Sequence, residues 1–148
     1  LTGAVLGFTL QTLAEEIYRA LIESTAYGTK RIVDLYKNNG VEIEKIYAAG
    51  GISQKSSLLM QIYADVLGKE IFLSGTDQAC AHGSAVLGAV NENGYKTLDE
   101  AAQKMKKIKD MSYKPVKENT EIYEKYYKVY KELSEYFAKT SDALKNIK

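Results

Sequence analysis

An α/β layer with parallel strand pairing, rich in helix, is the fold class this sequence predicts. Three observations carry it. Short apolar runs alternate with segments of helical period, and strands joined through helices pair in parallel. One such run, "IYAAGG" at residues 46–51, ends on two adjacent glycines just before a helical pattern begins. Finally, two strand-like runs are legible, fewer than a stable sheet needs, while the chain opens on "LTGAVLGFTL" without an initiator Met. That opening reads as a start inside a longer protein, so the remaining strands are expected upstream of Leu1 and the sheet is read as truncated.

The elements follow in chain order. Residues 12–38 read as one long helix. Thr12 and Glu15 fit a capping box, in which each side chain satisfies a free backbone N–H. Leu13, Ile17, Leu21, Ser24, Gly28, Ile32 and Leu35 then recur at helical spacing and are the expected buried face. Asn38-Asn39-Gly40 stops the helix. Residues 43–49 read as a buried strand. From about Lys55 to Leu67, Leu59, Ile62, Tyr63 and Val66 mark a helix face, and Gly68 is a natural stop.

"EIFL" at 70–73 reads as a second strand, followed by a Ser74–Asp77 turn in which Thr76 or Asp77 can cap the next helix. That helix, residues 78–92, is crowded with Ala, Gly and Ser, so close packing of its backbone is expected. Thr97 and Glu100 form a second capping box, opening a helix to about Lys107. A loop around Pro115 comes next. Residues 119–139 form a last helix, with Ile122, Tyr126, Val129, Leu133 and Phe137 on its inner face and Lys/Glu on the other.

Composition bounds the function. The 148 residues are 45% hydrophobic and 26% charged, which fits one globular domain with a real core. Lys and Arg number 20 against 19 Asp and Glu, so no charge field marks a nucleic-acid binder or a membrane-surface protein. No apolar run approaches a membrane span. One cysteine, Cys80, excludes an intrachain disulfide and suits a reducing cytoplasm. With one histidine beside it, the usual zinc clusters are excluded as well.

The glycine pair is the feature with chemistry in it. Ligands of α/β sheets bind outside the carboxyl ends of strands. Glycine lacks a Cβ, so a ligand can touch the backbone there. A following helix turns its free N–H groups toward the same place. A nucleotide phosphate or ribose is the natural guest, although such a pair also serves as a plain tight turn.

Other candidates have blander readings. His82 and Cys80 sit on the small-residue helix, where packing is the default. Asp65 is read as a surface or ion-paired carboxylate rather than a base. Glu15 and Glu16 are adjacent, point to different helix faces, and are read as cap and surface charge rather than a catalytic pair. The tyrosines of 123–136 are read as the edge of a packed helix face.

Three ordered segments, "EIYRALIESTAYGTK", "GGISQKSSLLMQIYADVLG" and "TDQACAHGSAVLGAV", resemble the carboxyl-terminal domain of the FGGY carbohydrate kinases, and the late "YKPVKENTEIYEKYYKVYKEL" is similar to the family's tail. The resemblance covers nearly the whole chain. It implies part of an actin-like, ribonuclease-H-like ATPase domain that binds ATP with Mg²⁺ and passes the γ-phosphoryl group to a sugar hydroxyl. The wording of the second segment is closest to the branch acting on the 5-hydroxyl of L-ribulose, a pentulose; branches acting on xylulose or gluconate share the architecture.

By the same resemblance, Gly50 and Gly51 lie against the nucleotide. Gln54, Lys55 and Ser56 flank the adenine pocket, and many relatives carry Asn where this chain has Ser56. Gln78, Ala79 and Gly83 let their helix pack near the nucleotide. The catalytic base and the sugar-binding residues are expected upstream, which leaves this chain alone inactive. The competing reading is a non-enzymatic helical module in which the glycine pair is a turn and the long helices dock a partner. Self-association into a homo-oligomer is expected from the truncated sheet.

Overall fold

The computed structural model describes residues 4–92 and 94–145, the last seven of them as helix backbone alone. The chain runs α1 (Ala14–Asn38), β1 (Ile46–Ala48), α2 (Gly51–Lys55), α3 (Ser57–Leu67), β2 (Ile71–Ser74), α4 (Ala79–Gly88), α5 (Leu98–Met105), β3 (Ile108–Tyr113) and α6 (Lys117–Lys145). The strands form one sheet in the order β1-β2-β3. β1 and β2 are parallel, as expected, with Ile46 opposite Ile71 and Ala48 opposite Leu73.

β3 corrects the sequence reading, which places a loop there. It pairs antiparallel to β2, with Tyr113 opposite Ile71 and Ile108 opposite Ser74. The physical reason is legible afterwards. "IKDMSY" is an edge strand of which four residues are exposed, so it carries no apolar alternation to read.

α3 is the centre of the molecule. Ser56 caps it by accepting from the Leu59 N–H at 3.3 Å. Gly68 ends it in the left-handed conformation at φ +61°, where glycine is favoured. One face of α3 packs on the sheet through Met60, Ala64, Leu67, Ile71 and Leu73. Its other face meets α1 and α6 through Ala26, Tyr27, Ile62, Val66, Tyr123 and Tyr127. Ile71, Leu73 and Val66 are fully buried, each worth about 1.5–3 kcal/mol of apolar transfer.

Polar side chains fasten this body. Lys30 is buried, and its Nζ donates to the Val66 carbonyl at 2.8 Å and to Glu124 Oε1 at 2.5 Å. Asp65 is buried too. Its carboxylate accepts from Gln61 Nε2 at 2.8 Å, from the Val116 N–H at 2.8 Å and from Asn119 Nδ2 at 2.9 Å. It thereby stitches the start of α6 to α3. The sequence reading of Asp65 as a surface or paired carboxylate gives way to a buried anchor.

The expected helix faces are displaced. On α1, Leu13, Leu21, Ile32 and Leu35 are exposed, while Ala26, Tyr27 and Lys30 are buried. On α6, Ile122, Tyr126 and Val129 are exposed, while Tyr123 and Tyr127 point inward. Each long helix carries two apolar stripes, and periodicity does not say which one finds a partner. The first capping box shifts as well. The Leu13 N–H donates to Glu16 at 2.8 Å, and Thr12 Oγ1 instead accepts from the Thr9 N–H at 2.9 Å. The second box holds in part: Thr97 Oγ1 accepts from the Glu100 N–H at 3.2 Å, and Glu100 accepts from the N–H of Lys96 rather than of Thr97.

Candidate functional site

Parallel β1 and β2 release the chain at the same end of the sheet, because Ala48 lies opposite Leu73. The loops that follow are therefore neighbours. The first carries Gly50 and Gly51, and the second leads through Ser74–Asp77 to Gln78 and α4.

Gly50 adopts φ +96° and ψ 172°, a backbone region that residues with a Cβ essentially do not enter. Gly51 has an ordinary φ and opens α2. A Cβ built at either glycine would meet nothing within 4 Å. The backbone here is thus bare on the outside, and no neighbouring side chain covers it among the described residues. Ile52 beside it is exposed. This is the geometry a flat or charged ligand needs to approach the main chain.

The helix after the glycines differs from the expectation of one helix over 55–67. It breaks at Ser56 into α2 and α3. Ser56 spends its hydroxyl on capping α3. Ser53 is buried and donates to the Gly50 carbonyl at 2.8 Å, closing the turn from inside. Gln54 is half-buried, and its Nε2 donates to the Ser74 carbonyl at 2.9 Å, tying the first loop to the second. Lys55 is exposed at the mouth.

On the second loop, Thr76 Oγ1 accepts from the Gln78 N–H at 3.2 Å, so Thr76 shapes the entry to α4. The N-cap itself is Gln78, without a side-chain cap bond; neither Thr76 nor Asp77 fills that position. Gly75, read from the sequence as part of the turn, also meets β3. Its N–H donates to the Lys107 carbonyl at 2.9 Å. A Cβ there would lie 3.0–3.1 Å from the Lys107 and Ile108 backbone, so the close approach of β3 depends on glycine.

α4 is shorter than read and holds no buried residue. Gln78 is exposed, Ala79 half-buried, and a Cβ at Gly83 would meet nothing within 4 Å. The expected close packing of this helix is therefore absent among the described residues: small side chains permit approach without enforcing it. His82 is half-buried and Cys80 exposed. Among the described residues no group of three or more His, Cys, Asp and Glu is placed to hold a metal ion. No described helix is long and apolar enough to cross a membrane.

Perturbed titration often marks a site, but here it lies in the helix body. Burial raises Tyr27 above the usual tyrosine range, and burial together with the hydrogen bond to Asp34 raises Tyr127. Burial also raises Tyr123. These are packed rings, not acids poised for transfer. A cleft of about 390 Å³ opens at the far end, before the starts of β1 and β2, lined by Lys30, Lys37, Glu42, Lys69 and Lys131 among others. It sits at the carboxyl ends of α1 and α3, where lysines offset the negative helix termini.

Residues 1–92 match the FGGY family of carbohydrate kinases, C-terminal domain. The whole chain is 50% identical to ribulokinase of Bacillus licheniformis and 46% identical to ribulokinase of Geobacillus thermodenitrificans, covering 28% and 27% of those proteins. It thus spans little more than a quarter of the length of the curated relatives it matches. The ligand-bound xylulose kinase of Lactobacillus acidophilus superposes with a TM-score of 0.80 at 24% identity, over 93% of this chain and 28% of that one. The xylulose kinase of Rhodospirillum rubrum gives 0.78 at 20% identity, over 95% and 28%. At such identity the structural likeness speaks for the fold.

Proposed function

The chain belongs to the FGGY family of carbohydrate kinases, and from that premise we propose that it is the nucleotide-side portion of a kinase that transfers the ATP γ-phosphoryl group to the 5-hydroxyl of L-ribulose. Its fold is the actin-like, ribonuclease-H-like ATPase fold of these kinases, helix-rich around a three-stranded sheet. The observation that carries the proposal is the bare backbone at Gly50–Gly51, turned by the glycine-only conformation of Gly50 at the carboxyl end of β1.

On this reading residues 1–148 are part of the carboxyl-terminal domain. Gly50 and Gly51 offer main chain to the nucleotide, exposed Ile52 offers an apolar contact beside it, and Lys55 lends positive charge at the mouth. Gln54 and Ser56 act from behind by fixing the loop, and Gln78, Ala79 and Gly83 border the same end. Transfer of this kind is positioning plus charge stabilisation. Mg²⁺ would arrive with the triphosphate and neutralise its charge; the described residues supply no carboxylate cluster to hold it. The catalytic base and the sugar contacts belong to the rest of a longer chain, which leaves xylulose and gluconate as the competing sugars. The reading includes a reducing cytoplasm, which suits the lone exposed Cys80, and self-association through the exposed apolar stripes of α1 and α6. Those same stripes favour the second reading, a non-catalytic module that docks a partner.

Calorimetric titration of the chain with Mg-ATP tests the proposal, with Gly51→Val beside it. The expected result is binding by the unaltered chain and at least a roughly tenfold loss, about 1.4 kcal/mol, in a variant that melts at the same temperature. Gly50→Ala, by contrast, should cost about 1–2 kcal/mol of stability, because a Cβ is forced into positive φ. Equal affinity in Gly51→Val, or no binding by a well-folded chain, would remove the support for the nucleotide reading.

A further inference from the structure

We propose that Lys109, on β3, is a positioning residue for the Gly50–Gly51 loop and acts through Gln54. Ile108 lies opposite Ser74, which sets Lys109 beside the carboxyl end of β2. From there the Lys109 ammonium donates to Gln54 Oε1. The other end of the same amide, Nε2, donates to the Ser74 carbonyl at 2.9 Å. The amide is therefore fixed at both ends, and its orientation follows from chemistry: the oxygen must face the ammonium and the NH₂ group must face the carbonyl.

This clamp matters because α2 cannot hold itself. It has five residues, far below the length at which a helix is stable alone. Its N-cap is Gly50, which has no side chain to cap with. Ser53 bonds back within the turn, to Gly50. Gln54 thus supplies the side-chain hydrogen bonds that join α2 to the sheet among the described residues, and Lys109 supplies one of the two.

β3 itself does not need Lys109. Ser112 Oγ donates to Glu70 at 2.5 Å, Gln61 Nε2 donates to the Lys114 carbonyl at 2.9 Å, and the Gly75–Lys107 backbone bond holds the strand's other end. Loss of the Lys109 ammonium would consequently be felt in the loop and not in the strand. The ammonium serves the loop that the proposed nucleotide would touch, and that part of the inference rests on the kinase reading.

Hydrogen exchange of the full 148-residue chain gives a test that needs no ligand. The Ser56 N–H donates to the Ile52 carbonyl and reports on α2. Lys109→Met keeps the stem and removes the donor. Loss of a charge-assisted bond should speed Ser56 exchange on the order of tenfold, while amides of α3 and β2 keep their rates. Lys109→Arg should restore the slow rate. In a Gln54→Leu background, Lys109→Met should add nothing, because the partner is already gone. A second arm measures Mg-ATP affinity, which should fall in Lys109→Met and recover in Lys109→Arg. Unchanged Ser56 exchange in Lys109→Met, an effect that adds to Gln54→Leu, or acceleration spread evenly over α3 and β2 would each overturn the proposal. Should the unaltered chain fail to bind Mg-ATP, the kinase reading loses its support, and the exchange arm still decides the role of Lys109.

Discussion

The body formed by α1, α3 and α6 and the loop end of the sheet handle polar groups in opposite ways. In the body, Lys30 and Asp65 are buried and reach across elements to partners 36 to 94 residues away in sequence. At the loop end, Ser53, Ser56 and Thr76 reach two or three residues along the chain and close local turns. The first arrangement fixes helices against one another. The second shapes loops while leaving their backbone open on the outside. Rigidity and accessibility are thus placed in different parts of one small domain, and Gln54 with Lys109 is the exception that joins a loop to the sheet.

The sharpest way to break that contrast is Asp65→Ala. It removes the buried acceptor of three hydrogen bonds and should cost about 3 kcal/mol in urea denaturation. Ser53→Ala, which removes one local bond, should cost about 1 kcal/mol. Equal losses in the two variants would mean that the loop is as deeply locked as the body.

Alkaline pH acts on the same body through its tyrosines. Tyr27, Tyr123 and Tyr127 are held above the usual tyrosine range in the folded state. Their contribution is fully present below the unfolded value, near pH 10. Above it the unfolded chain has released protons that the fold still keeps. Stability should therefore fall by up to about 1.4 kcal/mol per pH unit for each such tyrosine, and continue to fall until the folded value is passed. A flat urea midpoint between pH 9 and 11 would contradict the buried tyrosine cluster.

The smallest effect has the opposite sign. Tyr27 Oη is buried without a hydrogen-bond partner among the described residues. Tyr27→Phe should leave stability unchanged or raise it by about 0.5–1 kcal/mol, since the deleted hydroxyl is desolvated without return. Destabilisation beyond that range would indicate a partner for the hydroxyl in solution.

The comparison also explains what was legible in the sequence. The turns and helix ends were, because local chemistry writes them: Gly50–Gly51 marks the strand exit, Gly68 the helix stop, and Thr97 the next helix start. These features depend on residues within a few positions of one another. The body was legible as helices but not as contacts. Leu13, Leu21 and Leu35 have the right period for a core and are exposed, while Lys30, which composition places outside, is buried. Which stripe is covered is decided by α3 and α6, and no local pattern in α1 encodes them. β3 was missed for a related reason, since an edge strand needs a partner more than a pattern. At the site, the glycines could be read from chemistry alone. The roles of Gly75 and Lys109 could not, because each depends on a neighbour brought in by the sheet.

The sheet is laid down in the order of the chain, β1 then β2 then β3. This has a consequence for how the molecule is made. During synthesis each strand emerges beside one that already exists, so the sheet can grow vectorially, with no strand waiting for a later one to insert beside it. Tyr27 has no such convenience. Its ring leans on Tyr123, Tyr127 and Tyr130, about a hundred residues downstream. The nascent chain therefore carries the Tyr27 ring covered by α3 alone until α6 has cleared the ribosome, and that interval is when a chaperone has most to gain by holding it.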